Sequence, residues 1–327
     1  MVSPSINING NGLSLSVFVP VYHCTSTRAF SREDRIKDLV SCITSLKSSF
    51  DKNQQETQYR WKQVQIVIID DYSPIPVSTL LDQQLTQFVT IVRNQGKKGQ
   101  AGSLNYGLDY VKSDIYATTD SDCVVEQSWL TKIAKDFTDP HSELFGAQGP
   151  NWHHQKASTG FTEWITKQET KMIKYIFELH LDPLRERTTR IDCRTFAFKR
   201  SAYLDYRESQ QEFFVGDIVS GDTSHRLTSY LSQNDLYLQF DPELKVFHQP
   251  ITSYKKNLIK YYQWGRKGKF LENYTLTYQS LFIAFLRKYF VRQFINPVIK
   301  GGVSPLVVWP YHTMFWLGIW KKKWSLS

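Results

Sequence analysis

Apolar residues in the first half of the chain follow two patterns in turn. The short runs rich in apolar and β-branched residues, which are typical of strands, are Leu13–Val19, Val64–Ile69, Phe88–Val92 and Ile115–Thr119. Between them, residues 35–50 and 99–111 have the periodicity of helices. Strands that alternate with helices predict an α/β domain, in which a mostly parallel sheet is flanked by helices on both faces.

The second half of the chain is less regular. Residues 158–179 and the segments after Pro250 have helical patterns, whereas residues 195–199 and 237–240 resemble strands. The sequence therefore predicts three parts: a disordered N-terminal arm over residues 1–12, a large domain over residues 13–250 and a C-terminal helical region over residues 251–327.

Charge separates the C-terminal region from the rest of the chain. The protein has 327 residues and a net charge of +9, but the residues after Pro250 hold thirteen lysines and arginines and a single acid, Glu272. This region thus carries +12 and the remainder −3. A basic tail that is also rich in aromatic residues needs an anionic partner, such as lipid headgroups, nucleic acid or an anionic acceptor.

The cysteines and the N-terminus indicate the compartment. Cys24, Cys42, Cys123 and Cys193 have no CxxC spacing, so we expect free thiols in a reducing environment. The first twelve residues lack the charged and apolar regions of a signal peptide. Val303–Trp320 is the segment nearest to a transmembrane helix, but its prolines and histidine favour a position in the membrane interface. We therefore expect a cytoplasmic protein.

Carboxylates follow the apolar run Ile115–Thr119. Asp120 and Asp122 are separated by Ser121 at the carboxyl end of this predicted strand, which is where ligands bind to parallel sheets. Such a pair suits Mg²⁺ or Mn²⁺, because hard cations combine a few carboxylates with substrate phosphates. The same three residues are also compatible with a solvated turn.

Two further motifs lie at strand ends. Asp70 and Asp71 follow a buried strand, where they are able to bind a base or a ribose, or to cap the next helix. The loop that begins at Arg93 combines glycines with Lys97 and Lys98 ahead of a helix N-terminus, which suits phosphate or is simply a basic loop. It does not have the GxxxxGK[ST] spacing of a Walker-type NTPase.

The order of these motifs resembles glycosyltransferase family 2. The pattern consists of Val19-Pro20-Val21-Tyr22, Asp70-Asp71-Tyr72-Ser73, Arg93-Asn94-x-Gly96-x-x-Gly99-x-Ala101-x-x-x-Asn105-x-Gly107 and Asp120-x-Asp122. The resemblance extends from about Leu13 to Trp264. It implies the GT-A type of Rossmann-like fold for residues 13–250, and an inverting, metal-dependent transferase with a nucleotide diphosphate sugar donor, of which a UDP-sugar is the leading candidate.

The resemblance also implies roles for individual residues. Tyr22 would stack on the base, Asp71 would bind it, Asp120 would lie near the ribose and diphosphate, and Asp122 would hold the metal. The residues expected to bind the nucleotide sugar in this part of the chain are Pro20, Val21, Tyr22, Asp71, Asn94, Gly99, Asn105, Asp120 and Ser121. The expected metal ligands are Asp122 and Asp120.

Candidates in the second half match the family pattern less closely. Ser220-Gly221-Asp222-Thr223 resembles the segment that supplies the catalytic base, so Asp222 is the expected base and Asp217 the alternative. Arg194 is either a basic residue close to the substrates or a surface residue, and His248 is either a metal ligand or structural. Trp264 remains from a degenerate QxxRW motif, whose loss favours the addition of one sugar over polymer synthesis.

The tail suggests where the reaction takes place. An apolar stripe over residues 278–294 and Trp316, Trp320 and Trp324 around Lys321–Lys323 match an interfacial anchor, although the stripe is also compatible with packing in the protein. We expect a glycan or lipid-linked acceptor, peripheral contact with an anionic membrane at its cytoplasmic face and no nucleic-acid partner. The alternatives are a nucleotide-sugar-forming nucleotidyltransferase and a non-enzymatic nucleic-acid binder.

Overall fold

The fold was analysed in a computed structural model of the chain. The residues that the structure describes are 6–7, 12–22, 32–138, 145–153, 160–178, 181–182, 187–188, 191–209, 212–214, 225–248, 254–267 and 295–324. Of the N-terminal arm predicted to be disordered, this includes Ile6–Asn7 and Gly12. The candidate bases Asp217 and Asp222, and the predicted stripe up to residue 294, lie outside the described residues.

Strands and helices alternate through the first half of the chain, as predicted. The strands are β1 (Ile6–Asn7), β2 (Ser14–Val21), β3 (Gln63–Asp70), β4 (Thr90–Arg93), β5 (Ile115–Thr118), β6 (Cys123–Val125), β7 (Gly146–Gln148), β8 (Asn151–His153), β9 (Leu181–Asp182), β10 (Arg187–Thr188), β11 (Phe196–Lys199), β12 (Leu238–Phe240) and β13 (Val246–His248). The helices are α1 (Arg32–Gln54), α2 (Gln83–Phe88), α3 (Gly99–Tyr110), α4 (Trp129–Thr138), α5 (Phe161–Glu178), α6 (Arg200–Ser209), α7 (His225–Gln233), α8 (Tyr254–Lys267), α9 (Asn296–Ile299) and α10 (Pro305–Trp324).

The main sheet is parallel where the strands predicted in the first half of the chain lie. Strands β4, β3, β2 and β5 pair in parallel in that order, and β11 then joins β5 in the antiparallel direction. Beyond β11 follow β7, β12, β10 and β9, while β1 pairs with β3. Strands β6, β13 and β8 form a separate small sheet. The predicted α/β sheet is confirmed, and the antiparallel strands extend it beyond the predicted pattern.

Helices cover both faces of this sheet because its strands are apolar on both sides. Along β2, Leu15 and Val17 belong to a core that includes side chains of α1 and α4. Phe18, on the opposite face, belongs to a second core with side chains of α3, α6 and α7. Parallel strands that are buried on both faces are mostly apolar on both faces in this way.

The described chain forms two compact units. The first consists of Met1–Trp152 and His180–Gln249, and the second of His153–Leu179 and Pro250–Ser327. Helix α5 thus belongs to the second unit, although the prediction includes it in the domain that ends at residue 250. The domain limits stay a prediction.

Helices α5, α8 and α10 form the core of the second unit. Val307 and Tyr311 of α10 pack with Ile165, and Val308 packs with Met172. Trp316 is buried as well, one helical turn after the buried His312, and the interfacial anchor to which it was assigned stays a prediction. Among the described residues, no helix has both the length and the apolar character needed to cross a membrane.

Candidate active site

A cleft lies at the carboxyl ends of the parallel strands. Strands β2 and β3 are in register from Ser14 to Val21, so that Val21 pairs with Asp70, and Phe18 of β2 pairs with Thr118 of β5. The loops after these strands therefore meet. They enclose a cleft of about 200 Å³. Its lining residues are Pro20, Val21, Tyr22, Asp71, Gln100, Ser103, Asp120, Ser121 and Asp122.

Seven of these nine residues were predicted, and Gln100 and Ser103 were not. Both additional residues lie on α3, next to the predicted loop motif. Gln100 donates a hydrogen bond from Nε2 to Asp120 Oδ1 over 2.6 Å. Ser103 is buried, and its hydroxyl lies 2.9 Å from Asn94 Nδ2. Helical spacing places both in the first turns of α3, but the sequence alone does not show that this end of the helix faces Asp120.

Asp71 binds the loop that precedes α3. Its Oδ1 accepts hydrogen bonds from Asn94 Nδ2 (2.9 Å) and from the backbone N–H of Lys98 (2.6 Å). Its Oδ2 accepts the backbone N–H of Gly99 (2.8 Å). Gly99 has φ of +76°, a conformation that glycine adopts readily. The buried carboxylate therefore fixes both the loop and the first residue of α3.

Asp70 stabilises the turn that follows β3. It accepts the backbone N–H groups of Ser73 and Val77 and forms a 2.6 Å ion pair with Arg93. Arg93 also donates to the carbonyl oxygen of Ser73 over 2.7 Å. Asp70 thus fixes the turn after β3, whereas the N-cap of the next α-helix, α2, is Asp82, which accepts the N–H of Leu85.

The aromatic ring of Tyr22 already has a cationic neighbour. Lys97 Nζ lies 3.6 Å from the centre of this ring, within the range of a cation–π contact. A base that stacks on Tyr22 would approach the other face of the ring or displace the ammonium group. The lysines of the predicted phosphate-binding loop are thus close to the cleft.

The carboxylates of Asp120 and Asp122 are held in different surroundings. Burial, and the negative charge of Asp122, raise the pKa of Asp120 to about 6, against the opposing effects of Arg194 and His248. The side chain of Asp122 is 42% exposed, and its Oδ2 lies 3.3 Å from His248 Nε2. His248 reaches this position because β13 pairs with β6, which places it opposite Cys123.

A third carboxylate, Asp38 of α1, was not predicted. Burial, together with Asp122 and Asp34, raises the pKa of Asp38 to about 6. This coupling shows that α1 contributes negative charge to the surroundings of Asp122. Asp38 lies inside a helical pattern, where the sequence gives no sign that it faces the cleft.

The donor set fits a divalent cation whose coordination is completed by substrate. Across the described residues, no three His, Cys, Asp or Glu side chains are arranged to hold a metal ion by themselves. Asp122 and His248 nevertheless supply oxygen and nitrogen donors that are close together. Mg²⁺ and similar ions are often bound by one or two carboxylates and the phosphates of a substrate.

Arg194 is anchored by a carboxylate next to it. Its guanidinium forms two hydrogen bonds with Asp192, of 2.8 and 2.6 Å. Burial by itself would lower the pKa of Arg194, but the charges of Asp192 and Asp120 raise it. Arg194 is thus a fixed positive charge that acts on Asp120, although it does not line the cleft.

Asn105 is not among the residues that line the cleft. Asn105 donates to the carbonyl oxygen of Phe214 (2.8 Å) and accepts its N–H (2.9 Å). The side-chain amide of Asn105 thus fixes the backbone of Phe214, which is the last described residue before Asp217. Trp264 lies on α8, in the second unit.

Comparisons with known proteins give the family and the fold of the chain. The family model described as glycosyl transferase family 2 matches residues 16–206. Among curated proteins, none matches the sequence.

Solved structures match at low sequence identity. The mannosyltransferase PcManGT from Pyrobaculum calidifontis, in complex with GDP-Man and Mn²⁺, has a TM-score of 0.53 and 14% identity, over 99% of this chain and 90% of that one. S. aureus TarS has a TM-score of 0.47 and 13% identity, over 88% of this chain and 45% of that one. For TarS 1–349 in complex with UDP, the values are 0.48, 13%, 87% and 74%. The first match confirms the predicted fold.

Proposed function

The chain belongs to glycosyl transferase family 2, and we propose that it is a metal-dependent, inverting enzyme that transfers one sugar from a nucleotide diphosphate donor to a hydroxyl group. The observation that carries this proposal is the cleft in which Tyr22, Asp71, Asp120 and Asp122 meet at the ends of three parallel strands. Neither a nucleotidyltransferase nor a nucleic-acid binder is favoured by any feature of this cleft.

Asp122 and His248 are the proposed metal ligands, with Asp120 close by. A divalent cation at this position would neutralise the charge that develops on the departing diphosphate. Asp120 is oriented by Gln100 and lies under the influence of the Arg194 charge. These contacts hold its carboxylate in place before substrate binds, as electrostatic preorganisation requires.

The catalytic base is proposed to be Asp222, with Asp217 as the alternative. Both assignments rest on the family resemblance of the segment around Gly221. The base would remove the proton of the acceptor hydroxyl as its oxygen attacks the anomeric carbon, while the bond from that carbon to the diphosphate breaks. Asn105 supports this role indirectly, because it fixes the backbone of Phe214 just before the segment.

The proposed donor is a UDP-sugar, which rests on the family resemblance. PcManGT was solved with GDP-Man, so donors with other bases belong in any test. The proposed acceptor is a glycan or lipid-linked glycan, and the proposed location is the cytoplasmic face of a membrane. The +12 charge of residues 251–327 supports peripheral contact with anionic lipid.

The test is a donor screen that measures release of the nucleoside diphosphate. UDP- and GDP-sugars are offered with Mn²⁺, with Mg²⁺ or with EDTA, and the variant Asp122→Asn is compared with Asp205→Asn, an exposed aspartate of α6. We expect release only with metal, a loss of about 10²-fold or more in Asp122→Asn and no change in Asp205→Asn. Equal release by both variants, or full activity in EDTA, would contradict the proposal.

A further inference from the structure

Helix α10 has two faces in different surroundings. On one side, Val307 and Val308 are completely buried in the core of the second unit, together with Tyr311. On the other side, Leu306 and Trp309 are 70% and 55% exposed. The helix is therefore attached to the protein along one face and presents apolar side chains along the other.

The exposed apolar residues form a continuous strip. Leu306, Trp309, Thr313 and Leu317 follow helical spacing, and we call them the outer face of α10. Leu317 is 49% exposed, and Thr313 is the only polar member. The strip is about 16 Å long at the rise of an α-helix. Contiguous apolar surface of this kind marks a contact with another molecule or with a membrane.

Lysines precede and follow the outer face in the sequence. Residues 295–324 contain no aspartate or glutamate, and their four lysines are Lys300, Lys321, Lys322 and Lys323. Lys300 and Lys321 are exposed. An apolar strip that is flanked by lysines is complementary to a bilayer with acidic headgroups, because such a bilayer has an apolar interior and an anionic surface.

We propose that the outer face of α10 docks on an anionic lipid bilayer, with the helix parallel to the membrane surface. Leu306, Trp309 and Leu317 enter the interface, and the lysines at either end bind lipid phosphates. Indole rings suit this depth, because they combine a large apolar area with one N–H donor. The inference rests on the proposed peripheral membrane contact and specifies the residues that make it.

The test is co-sedimentation of the full chain with vesicles. Vesicles of phosphatidylcholine alone are compared with vesicles that also contain phosphatidylglycerol. The test variant carries Trp309→Gln and Leu317→Gln. The matched control carries Tyr110→Gln and Leu204→Gln, two exposed apolar residues of the first unit. We expect the parent and the control to bind the anionic vesicles, and the test variant to bind about tenfold more weakly or worse.

Charge is tested separately by Lys300→Gln together with Lys321→Gln. We expect this variant to lose affinity for the anionic vesicles and to retain the thermal melting curve of the parent. The single variant Leu306→Gln provides an independent change should the double variant on α10 melt early. Nucleotide binding by each variant, measured without lipid, should match that of the parent.

The outcomes separate this inference from the proposals on which it rests. If the parent ignores anionic vesicles, both the peripheral membrane contact and the docking face are wrong, whereas the transferase proposal stands. If the parent binds and the outer-face variants bind equally well, only the docking face is wrong. If the parent is a dimer that these variants convert to monomers without any change in lipid binding, the outer face joins two copies of the chain and the inference is overturned.

Discussion

Gln100 Nε2 donates a 2.6 Å hydrogen bond to Asp120 Oδ1. The bond links the first turn of α3 to the aspartate that follows β5, across the cleft expected to hold the donor. The bond occupies one carboxylate oxygen of Asp120 and fixes the orientation of this carboxylate. We therefore predict that Gln100 is a positioning residue for the proposed metal- and diphosphate-binding end of the cleft.

We predict that Gln100→Ala lowers kcat/KM for the donor by about 10-fold to 100-fold, since hydrogen bonds to charged groups contribute about 1.5–3 kcal/mol. Gln100→Glu should be worse, because a second negative charge would face Asp120. Gln95→Ala, an exposed residue of the preceding loop, is the control. Steady-state kinetics at saturating metal measure the effect, and melting temperatures report whether the fold is intact. Equal activity of both alanine variants would show that Asp120 needs no such support.

A second prediction concerns the backbone of Tyr72. This residue has φ of +59°, and its side chain is 52% exposed, beside Arg93. The left-handed conformation costs a residue with a Cβ about 1–2 kcal/mol, a cost that glycine avoids. Tyr72→Gly should therefore leave the free energy of unfolding equal or slightly higher, despite the greater freedom of the unfolded chain.

Tyr72→Val is the matched comparison, because β-branched residues tolerate positive φ least. Urea denaturation should rank Gly above Val by at least about 1 kcal/mol. Asp235, with φ of +53°, offers the same test outside the cleft. The reverse order at position 72 would mean that the turn after Asp71 has another backbone conformation in solution.

The position of the site was predictable because it follows from sheet geometry. The runs that end at Val21, Asp70 and Thr118 are mostly apolar, and parallel strands bring their carboxyl ends to one edge. The residues in the loops after them therefore had to meet. For this reason the acidic motifs could be assigned to one cleft before the fold was known.

The contacts inside the cleft were not predictable in the same way. Whether Asp71 faces a ligand or the N–H groups of Lys98 and Gly99 depends on the path of a loop, and spacing along the chain does not give that path. His248 lies on a three-residue strand, which is too short for a periodic signal. Its distance from Asp122 depends on a pairing between β6 and β13 over more than one hundred residues of sequence.

A third prediction uses the carboxyl group of Asp136. Burial, together with the charge of Asp241, raises the pKa of Asp136 to about 8, and its Oδ2 is buried without a hydrogen-bond partner among the described residues. In the folded protein the group is thus protonated at neutral pH, whereas in the unfolded chain it is ionised. The stability that it contributes is complete below about pH 4 and is lost as the pH rises through about 8.

Asp136→Asn should remove this dependence. The variant and the parent should have similar free energies of unfolding near pH 4, and the variant should be more stable by more than about 1 kcal/mol above pH 8, since one pKa unit corresponds to about 1.4 kcal/mol. Urea denaturation across this pH range measures the difference. Asp205→Asn, at an exposed position, should show no such trend. A constant difference between Asp136→Asn and the parent would contradict the assigned pKa.

The last prediction concerns the polar group that joins three helices of the second unit. Glu169 Oε1 on α5 accepts hydrogen bonds from Asn257 Nδ2 on α8 and from the Tyr311 hydroxyl on α10, the latter over 2.6 Å. All three residues are buried, and Tyr261 stacks on Tyr311. Because the apolar contacts among these helices are non-directional, this network is one of the directional contacts that fix their register.

Glu169→Gln should lower the free energy of unfolding only slightly, because the amide oxygen of glutamine still accepts hydrogen bonds from both partners. Glu169→Ala should cost about 2–4 kcal/mol, because it opens a cavity and leaves two buried donors unpaired. Glu163→Ala, an exposed acid of the same helix, controls for the change in helix composition. Urea denaturation measures all three variants. If Ala and Gln were equally destabilising, the loss would come from the charge of Glu169 and not from its hydrogen bonds, since glutamine retains the acceptor and lacks only the charge.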